Sequence, residues 1–299
     1  MAIPNEQRFL HRLVYRLQLV QELEQHERAQ DWTLALPGSQ LAEDDQPIRP
    51  FRVSNLVGHA LALSLDSMLG TRLLIQDPAS PSAVRLPMAA PFAMLRTAVE
   101  AGALAQWVLV PNSSVERRAR TLQATWSDVV SDDQLVLAIT EARPGDSRET
   151  VRIHQAQRRT NARSVRSKKA ALKDAATAGG VDIAEMQRGR PGFGLLVAEA
   201  AASIGIDPNI ASGLWRTLSG LTHPSASRSM AVSSVELTDT HDPEVARAVV
   251  TARPDLLAIA IEAAFASHLA AVHRTAELGG NTTIRFQPSV ALRRSAPRP

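Results

Sequence analysis

The sequence predicts an all-α protein, a helical bundle with an N-terminal helix, a basic helical insertion and a disordered C-terminal tail. Three observations predict it. Apolar residues recur at spacings of three and four, prolines and glycines punctuate the chain between those stretches, and no sustained apolar–polar alternation of the strand type stands out. With 299 residues, 44% of them hydrophobic and 21% charged, the chain can bury a sizeable core and lacks the composition of a disordered protein.

The elements follow in order. An amphipathic helix is expected from Asn5 to Ala29, where Leu10, Leu13, Leu17 and Val20 share one face among Glu and Arg. Pro37, Gly38, Asp44, Asp45, Pro47 and Pro50 then mark Leu36 to Pro50 as an exposed connection. Val53 to Leu74 reads as a core helix, because Val53, Val57, Leu61, Leu65 and Met68 repeat at helical spacing. A further helix runs from Pro91 to Leu109 and stops before Pro111, since the residue before a proline disfavours helical geometry. The next starts at Ser113 or Ser114, either of which can cap free amides ahead of Glu116, and continues through Leu122 and Trp126.

After Pro144 and Gly145 the composition changes. Val151 to Lys173 holds eight Lys or Arg residues and no acid. Gly179, Gly180, Gly189, Gly192 and Gly194 form a junction, followed by helices near Leu195 to Ile204 and from Asn209 to Thr222, the latter stopped by Pro224. The last long helix, Pro254 to Leu278, closes at Gly279 and Gly280. The expected segments are therefore 1–50, an N-terminal helix and loop; 51–142, the first part of the core; 143–192, the basic insertion and glycine-rich junction; 193–279, the second part of the core; and 280–299, a basic tail with Arg285, Arg293, Arg294 and Arg298.

Composition also excludes chemistry. The absence of cysteine removes disulfides, thiolate metal sites and cysteine nucleophiles. Glu100, Glu199 and Glu262 interrupt the most apolar stretches, so no membrane span is expected, and Glu6, Arg8 and Arg12 stand where a secretory signal would be apolar, so the expected compartment is the cytoplasm. No Walker loop, dinucleotide-binding glycine pattern, His-Glu-x-x-His or Gly-x-Ser-x-Gly is present. His268 and His273, five residues apart, project about 140° apart on a helix, a poor geometry for a shared metal. Neither metal nor cofactor is expected.

Three constellations carry chemistry. Arg96 and Glu100, four apart on an apolar helix, share a face and either pair or line a polar pocket. Arg158, Arg159, Arg163, Arg166, Lys168, Lys169 and Lys173 give the insertion a positive face suited to solvation, an acidic protein or a nucleic-acid backbone. Arg216 and His223, seven apart and so on nearly the same side of a helix, combine a fixed cation with a titratable imidazole, the pair that phosphodiester cleavage uses: imidazole moves the proton, guanidinium stabilises phosphate charge. The same two residues also admit a structural role, with Arg216 facing an acid such as Glu100 and His223 at a helix C-terminal dipole.

The Arg216 to His223 segment resembles the signature of the HEPN superfamily of helical ribonucleases and nucleotide-binding proteins, an Arg followed by a His a few residues on. The resemblance implies a metal-independent ribonuclease or RNA-binding protein of a stress or defence system, RNA as partner, a homodimer, and catalytic roles for Arg216 and His223. Leu95 to Glu100 together with Leu218 to His223 also looks like uncharacterised helical bacterial proteins. The alternative is a non-catalytic helical component that assembles with a protein partner.

Overall fold

The computed structural model describes residues 4–77, 80–238 and 247–289. Among these, helices dominate. In chain order they are α1 (Pro4–Ala29), α2 (Gln40–Asp45), α3 (Val53–Ile75), α4 (Ala90–Leu109), α5 (Ser114–Ile139), α6 (Arg148–Ala178), α7 (Ile183–Gln187), α8 (Phe193–Ser203), α9 (Pro208–Leu221), α10 (Ala226–Ala231) and α11 (Pro254–Gly279). The protein is all-α in class, and its helices fall into two compact units.

The first unit comprises Met1–Leu34, Val57–Val110 and Gly192–Pro299. Its centre is the packing of α4 on α11, burying Phe92, Leu95 and Val99 on one side and Leu257, Ile261 and Phe265 on the other. Gly102 permits the close approach: a Cβ there would meet Ser267 Oγ at 2.9 Å. One turn on, Gln106 Nε2 donates to Ser267 O at 2.7 Å and to its Oγ at 2.8 Å, so the polar groups inside this contact are satisfied. Helix α1 lays Leu13, Leu17, Val20 and Leu23 into the core, while Arg12 and Arg16 both bind Glu262 of α11. The buried His268 ring meets Glu27 Oε1 at 3.0 Å. Glu262, which interrupts the apolar sequence of α11, is thus paired; by length and composition α11 is nonetheless the one described helix that could cross a membrane, and more than half of its most apolar window is buried here.

Residues 281–289, expected to begin the tail, pack against the first unit. Asn281 Nδ2 donates to the carbonyls of Asp31 and Thr33, and Ile284 and Phe286 are buried, with Phe286 edge-on to Phe265 at 6.1 Å. The rest of that stretch, with Arg293, Arg294 and Arg298, lies outside the described residues.

Two antiparallel hairpins were not expected from the sequence. Strand β1 (Gln76–Asp77) pairs with β2 (Ser80–Val84), Gln76 opposite Val84. Strand β3 (Ser233–Thr238) pairs with β4 (Arg247–Ala252) in unbroken register from Ser233 opposite Ala252 to Thr238 opposite Arg247. The β-branched Val235, Val249, Val250 and Thr251 favour the extended backbone.

The second unit comprises Ala35–Leu56 and Pro111–Pro191. Helix α5 packs with α2, α6 and α7, so the boundary expected at 142 falls inside this unit. Ser113 and Ser147 cap α5 and α6, accepting from Glu116 N and Thr150 N. Leu41, Ile48, Leu122, Leu172 and Met186 are fully buried and form its core. The expected connection Leu36 to Pro50 contains α2, because Ser39 caps it and Leu41 gives it a buried anchor.

Asp45 lies in this unit beside the start of α3, where it accepts hydrogen bonds from Ser54 N at 3.0 Å and Ser54 Oγ at 2.5 Å. Burial raises its carboxyl above the ordinary aspartate value, and the Ser54 hydrogen bonds and the Arg52 charge offset this only in part. The folded protein therefore holds the proton more tightly than the unfolded chain, so stability falls as pH rises through the window just above the usual aspartate range. Asp45→Asn keeps an acceptor for Ser54 N and removes the charge. The variant should lose less stability than the wild type between about pH 4 and about pH 7, followed by urea unfolding; an equal or larger loss would contradict the assignment.

Candidate functional site

In the first unit the chemistry gathers at the end of α9. Asp207 accepts from Asn209 N at 2.7 Å and Pro208 takes the first helical position, which fixes where α9 starts. Pro224 fixes where it stops, since His223 must leave helical geometry to precede it. Thr222 is the C-cap, so His223 lies just outside the helix and the seven-residue spacing from Arg216 does not continue along one helical face. Both Arg216 and His223 are exposed. His223 O accepts from Ser225 N at 2.8 Å, while neither side chain has a hydrogen bond or ion pair among the described residues.

The residues around them are ordered. Glu100 Oε1 accepts from Arg96 Nε at 2.8 Å and from Trp215 Nε1 at 2.7 Å, which fastens α9 to α4. Arg96 Nη1 also reaches Thr222 Oγ1 at 3.3 Å, setting one guanidinium beside the residue that precedes His223. Glu100 thus serves Arg96 and Trp215 rather than Arg216. Gly220 gives room for another cation: a Cβ at this position would meet Arg228 Nη1 at 3.1 Å. Arg216 is one turn before Gly220 on α9, and Arg228 comes to Gly220 from α10. A bound phosphate there would meet guanidinium donors, and the nearby imidazole of His223 faces solvent.

The second unit carries the basic helix. At about 100° per residue, Arg148, Arg152, Arg159, Arg163, Arg166 and Lys173 fall within roughly 80° of arc on α6. All six are exposed, and the stripe is about 37 Å long. Its packing face lies to one side of the stripe, where Val165, Leu172 and Ala176 are buried. Among the expected nucleic-acid ligands, Arg158 and Lys169 are used for packing. Arg158 Nε donates to Thr140 Oγ1 at 2.9 Å, and Lys169 Nζ sits 5.3 Å from the Trp126 ring centroid, a cation–π distance. Lys168 is exposed but projects about 180° from Arg159, away from the stripe.

Arg228, Trp215, Arg148 and Arg152 join these sites without having been expected. A helical wheel drawn over the full length of α6 would have found the last two; Arg228 needs Gly220 beneath it, and Trp215 needs the packing of α9 on α4. Among the described residues no three His, Asp or Glu side chains come together as metal ligands. Comparison with known proteins finds no matching family model, no matching curated protein and no matching solved structure.

Proposed function

We propose that the chain is an RNA-binding protein, HEPN-like in its Arg216 and His223 pair, that cleaves RNA without a metal. The observation that carries the binding reading is the α6 stripe: six exposed cations in a line along one helix. Guanidinium groups pair geometrically with phosphate oxygens, and the stripe offers no aromatic ring for base stacking. Such a surface grips a backbone and is indifferent to sequence.

Exposure of Arg216 and His223 supports the cleavage reading. In that chemistry His223 accepts the proton of a 2′-hydroxyl, and the freed oxygen attacks the adjacent phosphorus. The P–O bond to the 5′ oxygen breaks, that oxygen takes a proton from water, and a 2′,3′-cyclic phosphate remains. Arg216 neutralises the charge that builds on the phosphate.

The test of binding is the salt dependence of RNA affinity. Replacing Arg159, Arg163 and Arg166 together by Ala should lower the slope of log affinity against log salt by about two, the loss of three phosphate contacts. An unchanged slope would reject the stripe as the RNA site. DNA of the same sequence serves as the comparison, and binding without cutting would leave the binding reading and remove the nuclease.

A further inference from the structure

Four helices of the first unit, α4, α8, α9 and α11, enclose a cavity of about 280 Å³. It exists because Ala103, Ala200, Ala211, Ala263 and Ala266 reach it with only a methyl group each. Ile206, Ile210 and Ile259 also line it and are 39%, 68% and 45% exposed, which sets them at the mouth. Large apolar side chains so exposed around a hollow mark a binding surface better than a solvated one.

The polar groups decide what fits. Gln106 donates both of its hydrogen bonds to Ser267 and accepts one from Ser203 Oγ at 3.1 Å, so the floor is satisfied internally and offers little to a polar ligand. Glu262 is the only ionised side chain on the wall. Its carboxylate is held by Arg12 at 2.8 Å and by Arg16, two cations on one anion, with side chains 33% and 27% exposed. Arg8, exposed one turn before Arg12 on α1, extends the same row. Arg12 and Arg16 do not line the hollow themselves; they stand behind Glu262, so the charge just beyond that part of the wall is net positive.

We propose that this cavity binds a small amphiphile with an apolar chain and an anionic head, of the medium-chain carboxylate class. At about 30 Å³ for a water-sized group, the space takes about nine such groups, the size of a short alkyl chain and far too small for a protein helix of about 10 Å diameter. The chain displaces water from the alanine and isoleucine walls. The head leaves the hollow past Glu262 to reach Arg12 and Arg16, whose guanidinium groups hydrogen-bond to a carboxylate.

Titration calorimetry of the full chain with decanoate, decanol and decyltrimethylammonium tests this. Decanoate should bind one per chain, more tightly than decanol, and the ammonium should bind least. Ala211→Trp, and the milder Ala263→Ile, should weaken both decanoate and decanol by about tenfold or more by filling the space. Arg16→Gln should weaken decanoate about fivefold, the effect of losing one partly exposed ionic contact, and leave decanol unchanged. Circular dichroism identifies any variant that has not folded, and each of the three stands in for the others. Equal binding of the ammonium and decanoate would overturn the proposal, as would binding that none of the folded variants changes. A dimer that Ala211→Trp dissociates would overturn it too, because the face would then belong to a second copy.

Discussion

Asp44→Ala should cost the protein about 3–5 kcal/mol of stability, because it leaves a charged guanidinium buried with nothing opposite. Arg117 and Asp44 have side chains only 2% and 0% exposed, and Arg117 Nε donates to Asp44 Oδ2 at 2.6 Å. The remaining valences are filled as well: Arg117 Nη1 donates to the carbonyls of Pro111 and Asn112 at 2.9 Å each, and Ser114 Oγ donates to the other Asp44 oxygen. The network joins α2 to the first turn of α5 and is shut off from solvent. Replacing both charges, Asp44→Leu with Arg117→Met, should recover most of the loss, since the desolvation penalty disappears with the pair. Urea unfolding measured by far-ultraviolet circular dichroism reads both. A loss under about 1 kcal/mol for Asp44→Ala would mean the pair is hydrated in solution.

His223→Ala should lower the rate of RNA cleavage by about 10²–10⁴, the usual contribution of a general acid–base group. Arg216→Ala should lower it to a similar order. Arg216→Lys should fall between Ala and the wild type, keeping the charge without the planar fork. Chelator should leave all rates unchanged, since the proton and the charge are handled by side chains. Both residues are exposed, so their replacement should shift stability by no more than about 0.5 kcal/mol and the fold stays comparable across the set. The assay is cleavage of a mixed cellular RNA pool by purified wild type and variants. Equal activity in all of them would assign the cleavage to another site or a contaminant, and inactivity in the wild type would remove the nuclease reading.

Much of the fold was legible because the chain states its own boundaries. Pro91, Pro111, Pro224, Pro254 and Gly280 stand at or beside helix ends, and a residue that restricts φ or accepts a left-handed one acts locally, whatever surrounds it. Helix α2 was not legible, since the acids and prolines around it read as a loop, and beyond the Ser39 cap its reasons to form are the burial of Leu41 and of Asp44 against Arg117. The β3 strand carries a weak signal: Ser234, Val235, Glu236, Leu237 and Thr238 alternate polar and apolar. It is short, and its apolar side stays exposed, so it lacks the burial that makes strands conspicuous.

At the candidate sites, local relations could be read and distant ones could not. The pairing of Arg96 with Glu100 follows from their spacing along one helix. The hydrogen bond from Trp215 to that same carboxylate crosses from another helix and has no trace in either segment. His223 shows the opposite error, where spacing suggested a shared helical face but Pro224 ended the helix first.

The division into two units has a consequence for how the chain is made. Synthesis completes the second unit at Pro191, before the ribosome has begun the last segment of the first. Helix α4 emerges early, yet α11, the surface it is built to cover, follows only after the stretch from Leu109 to Pro254 has been translated, on the order of ten seconds later. Helices α8 and α9 reach α4 sooner, but through that interval the side of α4 that faces α11 lacks its native cover, an apolar surface open to misassociation on the nascent chain.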